Sequence, residues 1–153
     1  MNREAIYSAL YGLVNTSGML VSGGGLFNTI TRRPKMWDQY NGADFPVLTL
    51  VEMPEPYERP MLNAAPAKVT LKPEFWIYTN IAEDPNVVPF TQLNNCIDAV
   101  EAALQPSPPI PLSAQNLGGL VASCYIFGEV RKAGAYADGI VIGIIPLSVV
   151  VPA

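Results

Sequence analysis

The segment at residues 44–52 constrains the fold of this chain most strongly. It reads Asp-Phe-Pro-Val-Leu-Thr-Leu-Val-Glu, a short apolar run that a Phe-Pro pair opens. Thr49 is the only polar residue from Val47 to Val51, which predicts a strand over 45–53 with both faces covered. Pro46 lies near the beginning of this strand, where its missing N–H is tolerated.

Apolar residues at helical spacing predict two helices. Asn2 is a candidate N-cap for the first, over 3–15, whose apolar residues are Ile6, Leu10, Leu13 and Val14. The second is predicted over 89–104, with one apolar face formed by Leu93, Ile97, Val100 and Leu104.

Alternating or β-branched residues predict strands at four further places: 26–33, 68–80, 120–130 and 140–151. Pro73 indicates an edge or a bulge within the second of these. The last two are expected to form a hairpin, because the connection at 131–139 contains an Asp-Gly pair. The predicted fold is α+β, a small mixed or antiparallel sheet packed by two helices, with a long C-terminal β-hairpin. The 153 residues fit a single domain.

Few residues of this chain are charged. The charged share is 14%, whereas about 25% is usual. Either the domain has a large core, or neighbouring subunits cover much of its surface. We favour the second explanation, since the excess apolar residues also occupy loops.

With a net charge of −4, the chain lacks the basic character that is typical of a nucleic-acid-binding protein. The densest cationic group lies at residues 32–35, and Arg131 and Lys132 form a second pair. We interpret both groups as solvated strand ends and turns, with phosphate contacts as the alternative.

Catalytic and metal-binding motifs are missing from the sequence. There is no histidine, which removes Ser-His-Asp and Cys-His systems and most metal sites. The glycines at 23–25 predict a flexible loop, because no Lys-Ser or Lys-Thr pair follows them to bind phosphate. We therefore expect no enzyme, catalytic residue, cofactor or metal, although a carboxylate-pair hydrolase is the alternative that sequence leaves open.

Cys96 and Cys124 are expected to be buried free thiols, as is usual in a reducing cytoplasm. The N-terminal residues lack the pattern of a secretion signal. The apolar run at 140–151 is shorter than the ~20 residues of a membrane helix, and Pro146 interrupts it. We expect no membrane association.

Two loops are the candidates for contacts outside the subunit. The segment at 54–66 carries four prolines and large apolar residues, which suggests an extended arm packing on a neighbour. The second candidate is the predicted hairpin tip at 131–139. The candidate interface residues are Tyr57, Arg59, Met61, Leu62, Arg131, Lys132 and Tyr136. The run at 105–111 is interpreted as a stiff proline-rich spacer.

The element order, together with the segment Ala43-Asp44-Phe45-Pro46-Val47, resembles the tail terminator (tail-completion) proteins of long-tailed bacteriophages, the lambda-type members above all. The chain departs from that family in its proline-rich segments at 54–66 and 105–111 and in its Gly-rich first loop.

This resemblance implies a structural virion protein without enzymatic activity. Such proteins form a hexameric ring at the head-proximal end of the tail tube, stop tube polymerisation and join the tail to the head connector. The implied partners are further copies of the chain, the tube protein and the head–tail connector, while DNA passes through the ring without specific binding. The implied location is the tail or neck of a virion assembled in the host cytoplasm.

Two alternatives accompany this hypothesis. One is another head–tail joining or neck protein of the same virion. The other is a small-molecule binding module whose pocket is lined by Trp37, Tyr40, Trp76 and Tyr78. Aromatic residues at such spacing are more often found in cores and interfaces.

Overall fold

A computed structural model describes residues 1–56, 69–81, 86–106, 115–135 and 139–152. Over these residues it confirms the α+β class, with two α-helices and a seven-stranded mixed sheet. The helices are α1 (Arg3–Val14) and α2 (Thr91–Ala103). The strands are β1 (Thr29–Thr31), β2 (Val47–Val51), β3 (Val69–Leu71), β4 (Glu74–Asn80), β5 (Ser123–Ile126), β6 (Arg131–Ala135) and β7 (Ile140–Val151).

Both predicted helices are confirmed: α2 packs on strands β4 and β7, and α1 packs against α2. Helix α1 begins where expected, since the Asn2 Oδ1 accepts a hydrogen bond from the Ala5 N–H at 3.1 Å. Its buried side chains are Ile6, Tyr7, Leu10 and Val14. Helix α2 buries Leu93, Cys96, Ile97 and Val100. These residues join the sheet side chains in the main core.

Strand β2, which lies in the apolar segment at 44–52, is inside the sheet, as predicted. It runs parallel to β1 and antiparallel to β4. Residues 47–50 are all buried, so both faces are covered. The Phe45–Pro46 peptide bond is cis. The Asn28 side chain donates a hydrogen bond to the Phe45 carbonyl at 2.6 Å and so holds the residues before β2 beside β1.

Strand β7 is the longest and pairs with four others, β3, β4, β5 and β6. Strands β3 and β4 run along it in one register, with Leu71 opposite Val149 and Glu74 opposite Pro146. The predicted strand at 68–80 is thus confirmed as a run with one interruption at Pro73. Pro73 has no N–H, but its carbonyl still accepts a hydrogen bond from the Leu147 N–H at 3.0 Å.

The hairpin differs from its prediction. The expected strand at 120–130 is the shorter β5, and the expected connection contains a strand of its own, β6. Arg131 and Lys132 therefore lie on a strand, and their predicted position at the hairpin tip was wrong. Charged and small residues suit an exposed edge strand as well as a loop, which explains the error. The chain reverses near Gly139, whose φ is 69°.

The glycines at 23–25 form a hydrogen-bonded turn, whereas a flexible loop was predicted. The Leu20 carbonyl accepts from the N–H groups of Gly23 and Gly25 at 3.0 and 2.8 Å. A Cβ at Gly25 would lie 2.3 Å from the backbone of Met19. The glycines are needed because the backbone closes on itself here.

Gly143 lets helix α2 approach strand β7 closely. A Cβ at this position would lie 2.8 Å from the Cδ1 atom of Leu93, which is fully buried. The absent methyl group therefore leaves room for the helix to seat on the sheet.

Two buried threonines in neighbouring strands offer a matched stability test. The Thr49 hydroxyl has no hydrogen-bond partner within the described part of the chain, whereas the Thr79 hydroxyl donates to the Val141 carbonyl at 3.4 Å. We expect Thr49→Val to raise the free energy of unfolding by about 1 kcal/mol, because it removes an unsatisfied buried polar group.

Thr79→Val is the control and is expected to leave stability unchanged or lower it by about 1 kcal/mol. Urea denaturation measures both variants. A Thr49→Val variant less stable than Thr79→Val would contradict this account of the two hydroxyls.

Candidate interaction surfaces

Strand β6 carries the predicted interface residues that the structure describes. Arg131 and Lys132 are exposed, and they pair with Ile144 and Gly143 of β7. As neighbours on a strand, they point to opposite faces of the sheet. Five predicted interface residues lie outside the described residues: Tyr57, Arg59, Met61, Leu62 and Tyr136.

Arg131 forms an ion pair across β7. Its Nη2 lies 2.8 Å from the Oε1 of Glu74, whose other carboxylate oxygen accepts from the Trp76 indole N–H at 2.7 Å. The Glu74 side chain is only 12% exposed, whereas that of Arg131 is 57% exposed. Glu74 is therefore the fixed member of the pair, and the Arg131 guanidinium remains accessible.

Lys132 reaches the other face, where its Nζ donates to the Asn94 Oδ1 of helix α2 at 2.6 Å. This contact joins the edge strand to the exposed side of the helix. Both cations thus have partners within their own chain. Any partner that binds them must share or replace these contacts.

The start of the proline-rich segment is held against helix α1. The Arg3 Nε lies 2.6 Å from the Glu55 Oε2, and the Tyr7 hydroxyl donates to the Glu55 Oε1 at 3.4 Å. Burial, followed by the charges of Glu55 and Glu52, raises the pKa of Tyr7 to about 12. The phenol therefore stays protonated at neutral pH and keeps its hydrogen bond.

Arg32 forms ion pairs both with helix α1 and with the residue that follows strand β2. Its Nη1 lies 2.8 Å from the Glu4 Oε1, and its Nη2 lies 2.9 Å from the Glu52 Oε1. The hydrogen bond and charge of Arg32 lower the pKa of Glu4. Arg32 was predicted to lie at a solvated strand end; its carboxylate partners could not be predicted, because they lie 28 and 20 residues away in the sequence.

The four aromatic residues proposed to line a small-molecule pocket pack instead into a second core. Tyr78 is buried, its hydroxyl donates to the Lys35 carbonyl at 3.3 Å, and its ring centre lies 5.9 Å from that of Tyr40. Trp37 and Trp76 pack against the same cluster, whose buried members include Phe45, Val47 and Ile140. They line neither of the two concave surfaces described next.

Two exposed apolar surfaces lie elsewhere. The aromatic pair consists of Tyr125 and Phe127, whose ring centres lie 6.1 Å apart in an edge-to-face arrangement. The apolar groove encloses about 500 Å³ at the beginning of helix α2. It is lined by Leu26, Asn80, Ile81, Val87, Thr91, Gln92 and Asn95.

A smaller concavity of about 260 Å³ lies beside the aromatic pair, at the end of helix α2. Its lining includes Glu101, Leu104, Gln115 and Tyr125. Among the described residues, the smaller concavity is lined by the Glu101 carboxylate and by the Cys124 thiol, which is buried and has its pKa raised to about 12.

The described residues contain no group of three or more side chains of the metal-binding types His, Cys, Asp and Glu. Cys96 and Cys124 are both buried free thiols, as predicted. Burial raises the pKa of each thiol to about 12. Among the helices described, none has the length and apolar character needed to cross a membrane.

Comparison with solved structures finds a chain of similar fold. The chain is similar to one described as "Virion of native gene transfer agent (GTA) particle", with a TM-score of 0.58 and 11% sequence identity. The likeness covers 99% of this chain and 97% of that chain, so the two share a fold over almost their full lengths. No family model and no curated protein matches the sequence.

We expect alanine substitutions at the two members of the Arg131–Glu74 pair to lower the free energy of unfolding by unequal amounts. Arg131→Ala should lower the free energy of unfolding by less than about 1 kcal/mol, because the guanidinium is largely exposed. Glu74→Ala should cost about 1–2 kcal/mol, since it also leaves the Trp76 indole N–H without its acceptor. Chemical denaturation compares the two, and an equal or larger cost for Arg131→Ala would argue against this assignment.

The two thiols are expected to be unreactive in the folded protein. With a pKa of about 12, on the order of 10⁻⁴ of each thiol is ionised at pH 8, and burial also blocks access. A chromogenic disulfide reagent should detect no fast-reacting thiol in the native protein and both cysteines in denaturant. Rapid reaction of either native thiol would contradict its burial.

Proposed function

We propose that this protein is a structural component of a phage-like virion. The observation that carries the proposal is the fold shared with a chain of a gene transfer agent virion, which extends over nearly all of both chains. The low charge and the exposed apolar surfaces are consistent with a subunit whose neighbours cover much of it.

Within such a particle, we propose the tail-terminator role. The protein would form a ring, of six copies in the family it resembles, at the head-proximal end of the tail tube. There it would end tube growth and connect the tail to the head. The sequence Ala43-Asp44-Phe45-Pro46-Val47 supports this choice. In this chain it forms the entry to β2, held by Asn28 beside the sheet.

The proposed partners are further copies of the chain, the tail tube protein and the head–tail connector. A ring of unlike, head-to-tail contacts needs two different lateral surfaces on each subunit. The net charge of −4 per subunit would let DNA pass through the lumen without specific binding.

A related candidate is a different head–tail joining or neck protein, and the same structural likeness supports it. The role proposed in either case is structural rather than enzymatic. The small-molecule alternative has less support, because its four aromatic residues pack into the second core.

Purified protein tests the proposal directly. We expect mass photometry to show a discrete oligomer, alone or with the tube protein, and electron microscopy to show rings that cap tube ends. A protein that remains monomeric and leaves tube length unchanged would overturn the tail-terminator role. Rings that bind the connector but not the tube would favour the neck protein instead.

A further inference from the structure

The turn that leads into strand β2 contains the one asparagine of this chain that a glycine follows, at Asn41-Gly42. Residues 41–43 are all exposed, and Gly42–Asp44 forms a single 3₁₀ turn with Asn41 as its N-cap. An asparagine side chain reacts slowly with the backbone nitrogen of the next residue, and glycine hinders this attack least because it has no Cβ. The turn therefore combines a reactive dipeptide with access to water.

The backbone nitrogen of Gly42 is well placed for such a reaction. Gly42 is the first residue of the turn, and the first N–H groups of a helix have no partner within it. A Cβ built at Gly42 would meet no atom of the described residues within 4 Å, apart from its chain neighbours. Packing in this part of the structure thus leaves room for water and for movement of the turn.

We propose that Asn41 is a site of spontaneous deamidation through a succinimide. The Gly42 nitrogen attacks the Asn41 Cγ, the bond from Cγ to Nδ2 breaks, and ammonia leaves with the proton that Gly42 releases. Water then opens the ring at either carbonyl and gives aspartate or isoaspartate. The net reaction consumes one water, releases one ammonia and adds one negative charge to the net charge of −4.

The hydrogen bonds of the turn restrain this reaction. The ψ of Asn41 is 160°, whereas ring closure needs the Gly42 nitrogen on the same side of the Cα–C bond as the Asn41 Cβ. The Asn41 carbonyl must then rotate away from the Asp44 N–H, which donates to it at 2.9 Å. The Asn41 N–H in turn donates to the Asp44 Oδ2 at 2.8 Å. The reaction therefore proceeds when this reciprocal pair of hydrogen bonds opens.

The isoaspartate product changes the backbone next to the second core. Its main chain runs through the former side chain, which inserts one extra carbon atom directly after Tyr40. The Tyr40 ring centre lies 6.2 Å from that of Phe45 and 5.9 Å from that of Tyr78. A longer backbone at position 41 displaces Tyr40 from these rings and so destabilises the residues that lead into β2.

Ageing of the folded protein at mildly alkaline pH tests the proposal. Ion-exchange chromatography measures the added charge, and mass mapping of peptides identifies the residue. Asn41 should react at least ten-fold faster than any other asparagine of the chain. Gly42→Ala is the matched variant, because the structure has room for its Cβ, and it should slow the reaction about ten-fold. A rate at Asn41 no faster than elsewhere, or unchanged in Gly42→Ala, would overturn the proposal.

Asp44→Ala tests the restraint. It removes the acceptor of the Asn41 N–H and should speed deamidation of the folded protein about five-fold. In concentrated urea, where the turn is lost, this variant and the parent protein should react at equal rates. Circular dichroism verifies that the variant folds, and equal rates in the two folded proteins would overturn the role of Asp44.

Asn41→Asp separates the added charge from the change of backbone, since it carries the charge on a main chain of normal length. The isoaspartate fraction, isolated by ion exchange, should unfold at a lower urea concentration than Asn41→Asp. Equal unfolding midpoints would overturn the displacement of Tyr40.

Discussion

The rest of this structure depends on the pairing of strand β7 along both of its edges. Strands β3 and β4 pair with its twelve residues in one register, whereas β5 and β6 pair with it in two registers that differ by two residues. Its residues Val141, Ile145, Leu147 and Val149 belong to the main core, where helix α2 packs on this strand. Because its backbone groups find partners within the chain, an apolar run of this length is protected from pairing with other molecules.

The distribution of apolar and polar residues predicted the two helices and strand β2 correctly. Helix α1 and its Asn2 cap were predicted correctly, because an N-cap residue followed by apolar residues at helical spacing is typical of the start of a helix. Strand β2 was predicted to be covered on both faces because it contains almost no polar residue. Strand β6 was missed because its residues Arg-Lys-Ala-Gly-Ala carry no apolar face, and an edge strand needs none.

The candidate site was less predictable than the fold. Arg131 and Lys132 were singled out for their charge, yet their partners Glu74 and Asn94 lie 57 and 38 residues away. Pairing at that distance depends on sheet register, which composition does not encode. The groove gathers residues from separate elements and therefore leaves no local motif. Tyr125 and Phe127, by contrast, lie two residues apart at the end of β5, but the sequence does not show that both rings are exposed.

Gly143 connects this local packing to the shape of any larger assembly. The missing methyl group determines how closely helix α2 lies on β7, through the contact with Leu93. The groove is at one end of that helix and the aromatic pair is near the other. A larger residue at position 143 would push against Leu93 and shift the helix on the sheet. The concave surfaces at the two ends of α2 would then move with it, so the outer shape of the molecule depends on one glycine in the core.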